Sequence, residues 1–309
     1  MILHRGYRNL NLRSPVVTVG IFDGVHSGHR IILDRLAEIA RTTSGESVVL
    51  TFDPLPSEVL YGSPEKGTML TTMDEKFSLI EKASVDHIIV ARFTKKLSAT
   101  GPSDFISKIL VDKIGAKHLI MGYDNNFGRH KKGDFDTISR FSESYDLKVW
   151  KAGKKTIDGV AVSSSSIREA LYKGRIEEAN LWLGYNYSLT GTIVEGRRIG
   201  RTFGFPTANI KPSDSRKLIP GDGVYAAEAR IGGDLFPGML SIGFNPTVNK
   251  VTAMRSIEVH LFDFAGELYG REITVVFRYR LRDEKKFMST EQLAAQMKMD
   301  REKALELLS

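Results

Sequence analysis

Two patterns of apolar and polar positions divide the chain near its middle. In the first half, short runs rich in Val, Ile and Leu alternate with segments whose apolar residues recur at helical spacing. These patterns predict strands at 16–20, 47–52, 87–91, 118–122 and 147–151, and helices at about 30–42, 73–83, 103–114 and 133–145. Strands that are apolar along their whole length are buried on both faces, so this half predicts a parallel sheet covered by helices.

After Tyr185 the pattern changes from alternating strands and helices to strands joined by turns. Two helices are predicted at 163–173 and 175–183, and a final helix is predicted from Ser289. Between the helix at 175–183 and the final helix, the pattern predicts strands and no helix. These strands are predicted at 187–194, 223–231, 237–243, 256–264 and 271–280. Strands joined only by turns predict an antiparallel, closed all-β unit. We therefore expect an α/β domain over 1–184 and an all-β barrel with a terminal helix over 185–309.

Composition narrows the possible chemistry. The 309 residues carry a net charge of +7, which favours anionic partners such as nucleic acid, anionic lipid or phosphorylated small molecules. No long Lys or Arg run accompanies that charge, so a small polyanion fits as well as a polymer. The absence of cysteine excludes a disulfide framework and a thiolate nucleophile. No apolar stretch reaches the roughly 18 residues of a membrane span. We predict a cytoplasmic protein with no membrane partner.

The loop after the first predicted strand has the composition of an anion site. Gly24 and Gly28 allow close approach of the backbone to a ligand, and His26 and His29 offer imidazole donors at the start of a helix. The first turn of a helix has unpaired N–H groups and the positive end of the helix dipole, and phosphate is its commonest guest. The His-x-x-His spacing alone leaves two alternatives, half of a metal site or two ordinary loop histidines.

Two further loops are expected beside this one. The segment that begins at Asp53 follows the second predicted strand, and the segment that begins at Tyr123 follows the fourth. The carboxyl ends of parallel strands meet at one edge of the sheet, which is where α/β proteins bind ligands. The sequence therefore predicts one site built from three loops.

A serine-rich segment starts the next predicted helix. Residues 163–166 are all serine, and Arg168 follows in the first turns. Each hydroxyl has an ordinary explanation as a helix cap. Four hydroxyls with an arginine, in a domain that already contains a predicted phosphate site, favour a second phosphate clamp.

These motifs together resemble a known family. Phe-Asp-Gly-Val-His-x-Gly-His at 22–29 and Ser-Ser-Ser-x-Ile-Arg at 163–168 are similar to the nucleotidyltransferase module of the bacterial bifunctional riboflavin kinases/FMN adenylyltransferases. The resemblance extends through 51–56 and 122–128. It implies a Rossmann-like fold in which His26 and His29 hold the ATP phosphates. The nucleotide-binding residues that it implies are Gly20, Phe22, Asp23, Gly24, Gly28, Ser163, Ser164, Ser165 and Arg168. The flavin-binding residues that it implies are Pro54, Pro56, Asp124 and Phe127.

In the second half, residues 191–210 combine glycines, arginines and a Thr-x-Asn pair after a strand. Mg²⁺ prefers oxygen ligands and keeps waters and substrate phosphates, so Thr207 and Asn209 suffice as the protein's share of a metal site. A turn with stray charge is the simpler alternative. Gly-Arg-Thr-Phe-Gly-Phe-Pro-Thr-Ala-Asn at 200–209, however, resembles the signature of the riboflavin kinase module, and 241–249, 256–264, 269–271 and 281–287 match it in order. The resemblance adds Gly200, Arg201 and Pro206 to the nucleotide-binding residues.

Glu258 is the candidate catalytic base. It lies in an alternating strand on the face opposite Ile257, Val259 and Leu261. The strand alone favours an ordinary solvated glutamate. The resemblance reverses that preference, because the matching glutamate of riboflavin kinases lies where the ribityl 5′-hydroxyl is activated. His260 shares the face of Glu258 and receives no role from the sequence.

The resemblance implies two sequential reactions with small-molecule substrates. ATP and Mg²⁺ would convert riboflavin to FMN, and a second ATP would convert FMN to FAD and pyrophosphate. An alternative is a nucleotidyltransferase for another phosphorylated acceptor, with a non-catalytic barrel. A nucleic-acid binder is a third possibility, suggested by the basic segment 195–217, which has few stacking aromatics. We expect no nucleic-acid partner, and the sequence leaves the oligomeric state open.

Overall fold

The computed structural model describes residues 1–62, 69–123, 134–195, 205–244 and 255–309. Within these residues the chain divides into two compact units, the first ending at Ser164 and the second beginning at Ser165. The first unit is α/β and the second is an all-β barrel with helices, so the predicted fold class is confirmed. The domain boundary after residue 184 stays a prediction. None of the helices in the described ranges is long and apolar enough to cross a membrane.

The first unit is built on a six-stranded parallel sheet. Its strands are β1 (Ile2–Arg5), β2 (Val16–Val19), β3 (Ser47–Asp53), β4 (His87–Arg92), β5 (His118–Met121) and β6 (Lys148–Lys151). Their order is β1-β4-β3-β2-β5-β6, and every neighbouring pair is parallel. The five predicted strands of this half are present, and β1 adds an edge strand that the pattern missed.

Helices cover both faces of this sheet. They are α1 (Ser27–Thr42), α2 (Pro56–Tyr61), α3 (Met73–Glu81), α4 (Lys95–Ser98), α5 (Pro102–Phe105) with a π-helical continuation (Ile106–Val111), and α6 (Phe135–Glu143). One buried cluster joins α1 and α3 to one face of the sheet through Leu33, Leu36, Ile80, Val49 and Ile120. The other joins the π-helical segment and α6 to the opposite face through Leu110, Ile138, Val17, Leu50 and Leu119. Burial on both faces explains why the strands are apolar throughout.

The strand order reverses at β2. The chain passes from β2 through α1 to β3 on one side, and β5 later pairs with the other side of β2. In doubly wound sheets, ligands bind at the place where the strand order reverses in this way. The loop after β2 lies at that place. A short hairpin, β7 (Thr156–Ile157) and β8 (Val160–Ala161), follows β6 and precedes α7 (Ser164–Tyr172).

The second unit is a closed six-stranded barrel. Its strands are β9 (Ser188–Val194), β10 (Ala208–Pro212), β11 (Gly223–Ile231), β12 (Asp234–Phe244), β13 (Arg255–Leu261) and β14 (Glu272–Arg282). The order is β10-β13-β12-β11-β14-β9, and all pairs are antiparallel. Five strands were predicted close to these bounds, and β10 was not.

Two helices pack against the barrel. In α8 (Ile176–Leu183) the Asn180 amide donates to the Phe277 carbonyl at 3.0 Å. The terminal helix α9 (Thr290–Leu308) begins next to its predicted start, and the Ser289 hydroxyl caps it. Ala304 of α9 packs against barrel residues in a buried cluster. An ion pair of 2.8 Å between the half-buried Arg282 and the buried Asp300 also ties α9 to β14.

Candidate active sites

The loop after β2 has a strained backbone. Phe22 and Val25 have φ angles of 51° and 35°, which bulky residues rarely adopt, and both side chains are buried. Gly24 lies between them at φ 83°, where glycine alone avoids a steric cost. Strain of about 1–3 kcal/mol per residue persists only where the surroundings fix the conformation. Such strain concentrates at functional sites.

Asp23 fixes this loop to two distant segments. Its buried carboxylate accepts hydrogen bonds from the backbone N–H groups of Leu70 at 3.0 Å and Thr71 at 3.1 Å. The Thr71 hydroxyl in turn accepts from the N–H of Gly24 at 3.0 Å. The Asp23 carbonyl accepts from the Ser164 hydroxyl at 2.9 Å. Asp23 was predicted to bind nucleotide, and the structure shows that its carboxylate holds the shape of the loop.

The two histidines meet in the first turn of α1. His26 is the N-cap, and its Nδ1 accepts from the backbone N–H of His29 at 3.3 Å. The two rings stack, with centroids 3.7 Å apart and planes 17° from parallel. A Cβ at Gly28 would lie 3.1 Å from the His26 ring, so glycine leaves room for this packing. Both imidazoles therefore lie at the positive end of the helix dipole, as an anion site requires.

Burial and nearby positive charge control the protonation of His29. The side chain is half-buried, and its Nδ1 atom is fully buried. Burial holds the pKa of His29 well below its usual value of 6.5, and His26 and Lys76 lower the pKa further. Lys76 lies on α3 and is completely buried. His29 is therefore a neutral imidazole at pH 7, and Lys76 brings a positive charge that the sequence pattern did not reveal.

Removing the charge of Lys76 should raise the pKa of His29, because a positive neighbour disfavours a second positive charge. The variant Lys76→Gln tests this by titration of the His29 ring resonances in NMR spectra. Lys82→Gln is the matched control, since Lys82 is exposed at the end of the same helix and the variant has the same net charge. An unchanged His29 pKa in Lys76→Gln would contradict this description of the site.

The serine-rich segment contacts the loop through Ser164. Ser164 begins α7, and its hydroxyl is the group that binds the Asp23 carbonyl. Ser163 is half-buried beside it. Ser165 and Arg168 belong to the second unit, where Ser165 is exposed and Arg168 is half-buried. The structure thus joins the start of the predicted clamp to the loop that carries the histidines.

The predicted flavin residues follow β3 and β5, the two strands that pair with β2 on either side. Pro54 and Pro56 come directly after β3 and are half-buried, and Pro56 is the first residue of α2. Asp124 and Phe127 follow β5 but lie outside the described residues. Gly20, at the end of β2, donates its N–H to the Leu50 carbonyl of β3 at 3.0 Å, which fixes the start of the histidine loop beside β3.

A second group of predicted site residues lies on the barrel. Asn209 of β10 is the direct cross-strand partner of Glu258 of β13, and Ser241 of β12 is its partner on the other side. Direct partners point to the same face of a sheet. The Thr207 hydroxyl donates to Oε2 of Glu258 at 3.2 Å. The predicted metal ligands and the predicted base therefore meet at one place.

The face of β13 that carries Glu258 is the one predicted. Ile257 and Val259 are 3% and 1% exposed and point into the barrel, whereas Glu258 is half-buried on the opposite face.

Pro206 is exposed just before Thr207, and its carbonyl contacts Nδ1 of His260. Gly200 and Arg201 lie outside the described residues. In the part of the chain that the structure describes, no group of three or more His, Asp or Glu side chains could hold a metal ion.

Two family models match the chain, one over each half. The model of FAD synthetase matches residues 9–166, and the model of riboflavin kinase matches residues 183–308. A relative from Listeria monocytogenes, named bifunctional riboflavin kinase/FMN adenylyltransferase, is 37% identical over 93% of this chain and 90% of its own length. A relative of the same name from Escherichia coli K12 is 36% identical over 97% of this chain and 96% of its own length.

A solved structure shows the same fold over almost the whole chain. It is described as a macrolide-efflux protein from Streptococcus pneumoniae, and it matches with a TM-score of 0.87 and 29% identity over 97% of each chain. Its description refers to efflux, whereas the curated relatives carry the names of two flavin reactions. We therefore take only the fold from this structure.

Proposed function

Because this chain belongs to the family of bifunctional riboflavin kinases/FMN adenylyltransferases, we propose that it carries out its two reactions at two separate sites. The enzyme phosphorylates riboflavin to FMN and adenylylates FMN to FAD. The observation that carries the proposal is the meeting of Thr207, Asn209 and Glu258 on the barrel, in a different compact unit from the histidine pair. Incubation with riboflavin, ATP and Mg²⁺, followed by separation of the flavins, tests the function. Absence of FMN would contradict it.

In the kinase reaction, Glu258 accepts the proton of the riboflavin 5′-hydroxyl while the hydroxyl oxygen attacks the γ-phosphorus of ATP. The bond from the γ-phosphorus to the bridging oxygen breaks, and ADP leaves. The position of Glu258 supports this role, because the residue is half-buried and its carboxylate is fixed by the Thr207 hydroxyl. Gly200, Arg201 and Pro206 are the proposed nucleotide contacts of this site.

The donor set on the barrel fits Mg²⁺. Thr207 and Asn209 offer neutral oxygen atoms, and Thr207 directs its only hydroxyl proton to Glu258, which leaves its oxygen lone pairs available to a cation. Mg²⁺ usually takes one or two protein ligands and completes its shell with water and substrate phosphates. When bound, Mg²⁺ offsets the negative charge of the ATP phosphates.

Loss of the Thr207 hydroxyl should weaken the use of Mg²⁺. We expect Thr207→Val, which keeps the shape of the side chain, to need roughly tenfold more Mg²⁺ for half-maximal FMN formation. Thr207→Ser keeps the hydroxyl and should behave like the unmodified enzyme. The measurement is the initial rate of FMN formation as a function of free Mg²⁺. Equal Mg²⁺ dependence in Thr207→Val and Thr207→Ser would exclude Thr207 as a ligand.

The adenylyl transfer needs no general base. The FMN phosphate is already an anion, so it attacks the α-phosphorus of ATP directly and pyrophosphate leaves. Catalysis then depends on alignment and on stabilisation of charge. His26 and His29 would hold the ATP phosphates at the start of α1, with Ser163 to Arg168 as the partner clamp and Pro54 and Pro56 beside the flavin. The stacking of the two imidazoles and the bond from Ser164 to the loop support these roles.

The rival hypotheses have less support. The riboflavin kinase match over residues 183–308 disfavours a non-catalytic barrel. The absence of a nucleic-acid partner and the cytoplasmic location stay predictions from the sequence.

A further inference from the structure

His260 makes one directed hydrogen bond near the kinase site. Its side chain is 7% exposed, and its Nδ1 lies 2.8 Å from the Pro206 carbonyl oxygen. A carbonyl oxygen only accepts hydrogen bonds, so Nδ1 carries the proton and donates. His260 lies two residues after Glu258, on the same face of β13. The strand that carries the catalytic base therefore also carries a donor aimed at the neighbouring segment.

Two aromatic rings hold this donor in place. Phe205 and Phe262 approach the His260 ring edge-to-face, at centroid distances of 5.2 Å and 5.6 Å. Phe262 is 2% exposed and belongs to the buried cluster that includes Ala304 of α9. Rotation of the imidazole would disturb both contacts, so its orientation is fixed.

Pro206 lies just before β10, where the backbone is not yet held by the hydrogen bonds of the strand ladder. Proline has no N–H, so Pro206 cannot donate to a strand ladder. The ladder between β10 and β13 begins only at Ala208, opposite Val259. Thr207 thus lies between the first ladder pair and the bond from His260 to Pro206. The orientation of the Thr207 hydroxyl toward Glu258 depends on both neighbours.

We propose that His260 is a positioning residue for the phosphoryl transfer: its Nδ1–H holds the Pro206 carbonyl and so sets the Thr207 hydroxyl against Glu258. The proposal rests on the kinase function proposed above. It gives His260 no contact with substrate. Its effect passes through the backbone of residues 206 and 207 to the metal ligand and the base.

A packing role alone makes a different prediction. If His260 only fills space between Phe205 and Phe262, then Phe should replace it well. If it holds Pro206, an N–H at the position of Nδ1 is required. Asn provides this group, because its Nδ2 is bonded to Cγ as Nδ1 is in histidine. In Gln the amide nitrogen is one bond further out and misses the carbonyl.

The test uses the full-length chain with riboflavin, ATP and Mg²⁺. We expect His260→Phe to lower the kcat of FMN formation roughly ten- to a hundredfold, as expected for a small displacement of catalytic groups. His260→Asn should recover most of the lost kcat. It should also show the Mg²⁺ dependence of the unmodified enzyme. Equal rates in the Phe and Asn variants would overturn the proposal. If the Phe variant does not fold, the comparison of Asn with Gln decides in the same way, with Asn expected to be several-fold faster.

A double substitution separates positioning from a general loss of stability. Because His260 acts through Thr207, His260→Phe should have little further effect on kcat in the Thr207→Val enzyme. If the double variant instead lost kcat by the product of the two single-variant factors, the proposal would be overturned. Conversion of supplied FMN to FAD by the same preparations controls for the amount of active enzyme. Failure of the unmodified enzyme to form FMN would contradict the kinase function itself, which distinguishes the two failures.

Discussion

Replacing Glu258 by Gln should reduce the rate of FMN formation from riboflavin by roughly 10²–10⁴, the usual contribution of a positioned general base. Gln has nearly the same shape and still accepts the hydrogen bond from Thr207, but its amide cannot take the proton of the 5′-hydroxyl. The barrel fold should survive, because Ile257 and Val259 on the opposite face form the core. The measurement is the initial rate with riboflavin as substrate.

The control for this variant is Glu272→Gln, which changes an exposed strand glutamate of the same barrel. We expect it to form FMN at the rate of the unmodified enzyme. Both variants should convert supplied FMN to FAD normally, because we propose that adenylyl transfer takes place in the other unit. A normal rate of FMN formation in Glu258→Gln would remove Glu258 from the mechanism.

Replacing His29 by Ala should stop the second reaction and leave the first intact. The substitution removes a neutral imidazole donor from the start of α1, where it stacks on His26. Loss of one preorganised donor at a site of developing charge costs about 10²–10³ in rate. With riboflavin and ATP, FMN should therefore accumulate while FAD formation falls by this factor. Chromatographic separation of the flavins over time measures both reactions at once.

A second histidine of the same unit provides the matched control. His4 lies on the edge strand β1 and bonds to His87 of β4 at 3.0 Å, away from the loop that follows β2. His4→Ala removes an imidazole without touching the proposed phosphate site, and we expect normal FAD formation. Equal loss in both variants would mean that His29 acts only through the stability of the unit.

The sequence predicted the buried strands well because burial on both faces leaves a continuous apolar signal. It missed β1, whose four residues include two exposed apolar side chains at the sheet edge and so lack that signal. It missed β10 because the strand ends at Pro212 and has only two buried residues, Ala208 and Ile210. A single helix was expected over 103–114, but the structure has α5 followed by a π-helical segment. The wider turn changes hydrogen bonds without erasing the apolar periodicity.

Some residues of the candidate sites could be predicted from the sequence, whereas others could be assigned a role only from the fold. His26, His29, Thr207, Asn209 and Glu258 could be predicted because each lies in a local motif with its own chemistry. The roles of Asp23, Lys76 and His260 required the fold. The Asp23 carboxylate accepts hydrogen bonds from Leu70 and Thr71, which are 47 and 48 positions further along the chain. His260 contacts Pro206, which lies 54 positions before it. No local pattern encodes such contacts, so these supporting residues become visible only when the strands and loops are assembled.

The most direct test of the two-site account is a crossed assay of both half-reactions in Glu258→Gln and His29→Ala. Riboflavin with ATP and Mg²⁺ measures the kinase, and supplied FMN with ATP and Mg²⁺ measures the adenylyl transfer. We predict that Glu258→Gln loses only the first rate and that His29→Ala loses only the second. If each substitution suppressed both rates to the same extent, the assignment of the two reactions to separate sites would be contradicted.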